Sequence, residues 1–144
     1  MVGIPPESLI RNAHALVAIL GHWPNFHDAE VCSIRLIRTG VCIEADIYVF
    51  SVSASLDQRG YYKRLNECLV TLRFKGVQDL QLEGFNHQNV LSSLYIEREE
   101  RLTVTFESVF GMASHFSCSE IELVRVVPYK GELLTDVSGT ARSE

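Results

Sequence analysis

From residue 31 onward apolar side chains recur at every second position, and that period commits most of the chain to β-structure. Cys32, Ile34 and Leu36 fall on one side of an extended segment over residues 31–38, with Ser33 and Arg35 on the other. Thr39-Gly40 then offers a tight reversal into a second extended segment, 41–53. There Val41, Ile43, Ala45, Ile47 and Val49 alternate with Cys42, Glu44, Asp46, Tyr48 and Phe50, so an aliphatic face backs an acidic and aromatic stripe. The polar stretch 53–62, with Asp57-Gln58-Arg59-Gly60, reads as a loop longer than a hairpin turn. A strand starting near Glu67 carries Cys68, Val70, Leu72 and Phe74, and Val77 to Glu83 forms a shorter one. Residues 90–97 and the run Leu102, Val104, Phe106, Phe110 supply two more. Between Phe116 and Val127 the apolar parity switches, which predicts bulges or burial on both faces.

The N-terminal segment has a different period. Leu9, Ile10, Ala13, Leu16, Val17 and Leu20 recur at spacings of three and four, which predicts an amphipathic helix with Pro5-Pro6 at its start and Gly21 just past its end. The expected fold is therefore α+β, one N-terminal helix packed on a curved, mostly antiparallel sheet of about seven strands. The 144 residues suit a single domain over 1–144, with an ordered core over 1–128 and a loose tail over 129–144 that is polar and rich in Gly, Ser and Thr.

Eighteen acidic against thirteen basic side chains give a net charge of -5, which argues against nucleic acid as a direct partner and for a basic one. Cys32, Cys42, Cys68 and Cys118 are widely spaced, with no Cys-x-x-Cys pair, and read as reduced core residues. No stretch reaches the roughly 18 apolar residues of a membrane span, and no secretory leader pattern opens the chain. A cytoplasmic location and no membrane partner are the expectation.

Trp23-Pro24-Asn25-Phe26-His27-Asp28-Ala29-Glu30-Val31, between the helix and the first strand, is the densest run of unusual residues. The adjacent His27-Asp28 pair invites an acid/base or metal reading, with His22, Glu30, His87 or His115 as further ligands. However, His22 and His27 lie five apart across a proline, which is not a chelating spacing, and further His and Asp ligands on neighbouring helices, as an HD-type phosphohydrolase has, are not expected in a β-rich chain. The bland reading is a structural corner, with Trp23 and Phe26 plugging the core and His27 and Asp28 hydrogen-bonded to backbone. The sequence contains no Gly-x-Ser-x-Gly elbow and no Gly-rich phosphate loop. No catalytic residue, metal or cofactor is assigned, whereas Glu44, Asp46, Tyr48 and Phe50 form a candidate partner-binding face.

Trp23-Pro24 with Phe26-His27-Asp28-Ala29-Glu30-Val31, Phe74 with Gly76-Val77, Phe85-Asn86 with Gln88-Asn89-Val90, and Gly111 with Phe116 and Cys118 together make a pattern through which the chain resembles bacterial proteins of the Immunity protein 50 family. The resemblance implies a non-enzymatic protein that binds and neutralises a cognate toxin domain, and it carries over no catalytic residue. Trp23, Pro24, Phe26, His27, Asp28 and Glu30 are then family-motif residues with a structural role. The alternative is a small-ligand or metal-binding β-rich protein or enzyme, with a pocket lined by Trp23, His27, Asp28 and His87. Exposed edge strands also admit a homodimer as well as a monomer.

Overall fold

A computed structural model of the chain describes residues 4–130. After a 3-10 turn at Pro6–Leu9 come β1 (Ile10–Arg11), α1 (His14–Leu20), β2 (Glu30–Ile37), β3 (Cys42–Leu56) and β4 (Tyr62–Lys75). These are followed by β5 (Gln78–Glu83), β6 (Val90–Arg98), β7 (Leu102–Phe110), β8 (Ala113–Cys118) and β9 (Glu120–Pro128). All nine strands join one sheet in the order β1-β9-β4-β3-β2-β6-β7-β8-β5, antiparallel except for the β1–β9 pair.

The α+β expectation is overturned: 61% of the described residues are strand and 9% helical, and α1 has only seven residues. The three-and-four spacing from Leu9 to Leu20 does not build one helix. Asn12 takes a left-handed conformation (φ 66), which divides the segment, and Ile10 pairs with Ile121 as a strand. Gly21 does end α1 as expected, with φ 89 and its N–H donating to the Val17 carbonyl at 2.7 Å. The parity switch after Phe116 is resolved by ending β8 at Cys118, starting β9 at Glu120, and a register shift against β4 between Thr71 and Leu72. Tyr129 donates its N–H to the Glu67 carbonyl, so it is tied down, and the remainder of the expected loose tail beyond Lys130 lies outside the described residues.

The sheet falls into two halves whose inner faces meet. Phe74 of β4 packs edge-on against Phe106 of β7 and Phe116 of β8, with ring centroids 6.0 and 5.1 Å apart, and all three are buried. Ile43, Ala45, Ile47 and Val49 point into this core, as their alternation predicted. Cys68 and Cys118 are buried with them, whereas Cys32 is exposed, because a bulge between Val31 and Ser33 puts Val31 inside instead.

Strand pairing joins the halves at one narrow place. β2 and β6 share a single register pair, Glu30 with Val90, flanked by Val31 N–H to the Asn89 carbonyl and Leu91 N–H to the Ala29 carbonyl, each 2.9 Å. The Asn89 side chain is buried behind this joint. Its Oδ1 accepts from the Asn86 and Met112 amides at 2.8 and 3.0 Å, and its Nδ2 donates to the Asn86 and Val31 carbonyls at 2.8 and 3.4 Å. Gly111 (φ 74) lies so close that a Cβ there would sit 2.5 Å from Asn89 Oδ1.

Asn89→Ala leaves the buried Met112 amide and the part-buried Asn86 amide without their acceptor and is expected to cost about 2–4 kcal/mol. Gly111→Ala should destabilise by a comparable amount through strain and clash. Urea unfolding of both variants checks this, and a loss below about 1 kcal/mol for either would contradict the joint's role.

Candidate functional site

The corner from Trp23 to Glu30 is built by backbone. Left-handed conformations at Phe26 and Asp28, each φ 66, swing the chain away from β3 and towards β6. The Asp28 N–H then reaches the Leu91 carbonyl at 2.8 Å, and the Leu94 N–H reaches the Asn25 carbonyl at 3.3 Å. Phe26 and Pro24 are buried, and half-buried Trp23 lies edge-on to Phe26 at 5.7 Å. His27 and Asp28 project their side chains into solvent, where Nδ1 and Oδ2 stand 3.3 Å apart. Their backbone amides, rather than their side chains, anchor the corner, since the His27 N–H is held by Asn25 Oδ1 at 2.9 Å.

An open cleft of about 550 Å³ separates this corner from Val49–Val52 of β3, and His22, Trp23, His27, Asp28 and Phe50 are among its walls. It therefore joins two residue sets that the sequence kept apart. His87 does not line it; its Nδ1 contacts Asn86 Oδ1 on the turn before β6. His115 is paired instead with Thr105 on the β7–β8 face. Among the described residues no three His, Cys, Asp or Glu side chains group as metal ligands would. Burial pushes the Cys68 and Cys118 thiols up to about 11, so neither is a thiolate at neutral pH.

On the outer face of β3, Glu44 and Asp46 are already partnered. Asp46 accepts from Ser33 Oγ at 2.5 Å, Thr71 Oγ1 at 2.6 Å and both terminal nitrogens of Arg35 at 2.7 and 3.2 Å. Burial alone would raise its carboxyl, but those hydrogen bonds and the Arg35 charge prevail and hold it well below the usual carboxylate range. Glu44 bridges Arg73 Nε at 2.7 Å and Arg35 Nε at 3.1 Å, and the Arg73 hydrogen bond leads in lowering its pKa. Tyr48 is buried, donating to Glu67 Oε1 at 2.7 Å and accepting from Arg64 at 3.0 Å. The stripe read as acidic is thus a neutralised carboxylate–guanidinium lattice.

Beyond Tyr48 the same face opens out. The 53–62 stretch, expected as a loop, is strand at both ends around a turn over 57–61: β3 continues to Leu56 and β4 begins at Tyr62, with Val52 opposite Arg64 and Leu56 opposite Tyr62. Phe50, Val52, Leu56 and Tyr62 follow Tyr48 along this face, and the last three are 55%, 56% and 58% exposed. Sequence reasoning missed this arm because the apolar positions switch parity after Val49, so Val52, Ala54 and Leu56, on the face of Tyr48 and Phe50, alternate with Ser51, Ser53 and Ser55 in a stretch of polar composition. Tyr61-Tyr62 after the Asp57-to-Gly60 turn was the signal available.

A family model described as Immunity protein 50 matches residues 12–129, which takes in every element from α1 to β9. No curated protein and no solved structure matches the chain.

Phe26→Ala is expected to cost about 3–5 kcal/mol, Trp23→Ala roughly half that because its ring is only half-covered, and His27→Ala less than about 0.5 kcal/mol. Denaturation midpoints rank the three, and a large loss at His27 would contradict the assignment of anchoring to backbone. Acid titration reports on Asp46. Its depressed pKa contributes stability above the unfolded value of about 3.9, and this is lost as pH falls through the folded one. The wild type should lose stability below about pH 4, with a shallower decline in Asp46→Asn.

Proposed function

We propose, for a chain that belongs to the Immunity protein 50 family, that it protects the bacterium producing it by binding a cognate toxin domain and blocking it without catalysis. The observation that carries this reading is the family match over residues 12–129. The setting proposed is the cytoplasm of the producing cell. No helix among the described residues is long and apolar enough to cross a membrane.

The proposed contact lies at the aromatic end of the β3 face, from Tyr48 and Phe50 onward. Glu44 and Asp46 support it from within by fixing Arg35 and Arg73 in place. Exposed apolar side chains along this face suit a protein partner, since burying them on association is favourable. A basic partner was expected to meet Glu44 and Asp46, but those charges are neutralised internally. The excess acidity sits in β5–β8 and their turns, where Asp79, Glu83, Glu97, Glu99, Glu100 and Glu107 face two bases, Arg98 and Arg101.

A second reading, a small-ligand or metal protein, draws on the cleft beside His27 and Asp28. Stoichiometric zinc or iron in the purified protein, lost in a folded His27→Ala variant, would favour it over the binder.

The direct test is the toxin domain encoded beside this gene. Co-expression should restore growth, and calorimetry should give a saturable complex that Phe50→Ala weakens about tenfold or more. Undiminished toxicity and no complex would overturn the proposal.

A further inference from the structure

The β3–β4 pair outruns the sheet on both sides. β2 last pairs with β3 at Tyr48, opposite Glu30, and β9 last pairs with β4 at Cys68, opposite Pro128. Past those points, among the described residues, the two strands pair only with each other, through Ser51–Leu65, Val52–Arg64 and Leu56–Tyr62. The result is a two-stranded arm over residues 50–66. Asp57 closes its tip, with Oδ1 accepting the Arg59 and Tyr61 amides at 2.8 and 2.9 Å.

The charge of the arm opposes that of the chain. Residues 51–66 contain one acid, Asp57, and three bases, Arg59, Lys63 and Arg64, for a net of +2. The whole chain carries -5, so the remainder carries -7. None of the three bases forms an ion pair among the described residues. Arg64 instead rests over the Phe50 ring at 4.4 Å, which holds its guanidinium at the arm's base beside the exposed Val52. Screening over about 8 Å at physiological salt makes the arm's local charge, not the net charge, govern a contact made through it.

We propose that this arm is the element by which the chain engages its toxin, and that it enters an apolar cleft rimmed by carboxylates. The proposal rests on the toxin-binding reading and adds the chemistry of the partner's surface. Val52, Leu56 and Tyr62 supply the apolar stripe, and Arg59, Lys63 and Arg64 meet the acidic rim. A two-stranded ribbon is marginal alone in water, so burying its exposed stripe also stabilises the arm. Three cations are few for a nucleic acid, whose phosphates each need a Lys or Arg to replace their counterions, which disfavours the other ligand that aromatic and basic residues suggest.

The test measures binding of the full-length protein to the toxin domain encoded beside its gene, by calorimetry at low and high salt. Arg59→Glu with Lys63→Glu should weaken binding at least tenfold and remove most of its salt dependence, with the denaturation midpoint unchanged. Tyr62→Ser should weaken binding at all salt concentrations. Unchanged or tighter binding by the charge-reversed variant would overturn the arm's assignment while leaving toxin binding intact. If the wild type itself failed to bind that domain, the functional reading would fail, and this inference with it. A 20-nucleotide single strand bound at physiological salt by the wild type but not by the charge-reversed variant would also overturn it.

Discussion

The buried amide of Asn89 is the interaction on which the rest of the architecture depends. Two half-sheets meet face to face through Phe74, Phe106 and Phe116, yet the strand pairing between them narrows to one register pair between β2 and β6. Apolar contact alone sets no register. At that point Asn89 bonds the Asn86 turn, the Met112 amide and the Val31 carbonyl, so one side chain fixes three separate segments. A buried group with four hydrogen bonds is stable only while all its partners stay in place, which makes the joint specific as well as strong.

The Trp23–Val31 corner, the Asn86–Val90 turn and Gly111 all converge on this joint, although they are far apart in sequence. Gly76 and Ser119 meet at the opposite corner, where the chain crosses between halves beside Phe74 and Phe116. Phe26, Phe74, Asn89, Gly111 and Phe116, on which the resemblance rests in part, are buried or closely packed there, whereas His27, Asp28 and Phe85 keep exposed side chains.

The strand alternation of Ile43 to Val49 was legible because burial on one face of a sheet enforces a period of two. The end of α1 at Gly21 was legible for an equally local reason. The Leu9 to Leu20 period does not build one helix because Asn12 is left-handed and Ile10 pairs with Ile121, a partner 111 positions later that no local period reveals. The meaning of Glu44 and Asp46 was hidden in the same way: their arginine partners come from β2 and β4, so a stripe that is acidic on its own strand is neutral in the sheet. The parity switch after Val49 and the polar Ser51, Ser53 and Ser55 concealed the arm, whose pairing depends on the opposite strand and not on its own composition.

Scaffold and proposed contact surface are separated along β3, with locked charges towards Cys42 and open apolar side chains towards Leu56. Hydrogen–deuterium exchange of the protein with and without its toxin domain tests that division most directly. Slowed exchange concentrated in residues 50–66, with little change at Ala29–Val31 and Asn89–Leu91, is the predicted result. Protection confined to the Trp23–Val31 corner, with the arm exchanging as in the free protein, would contradict it.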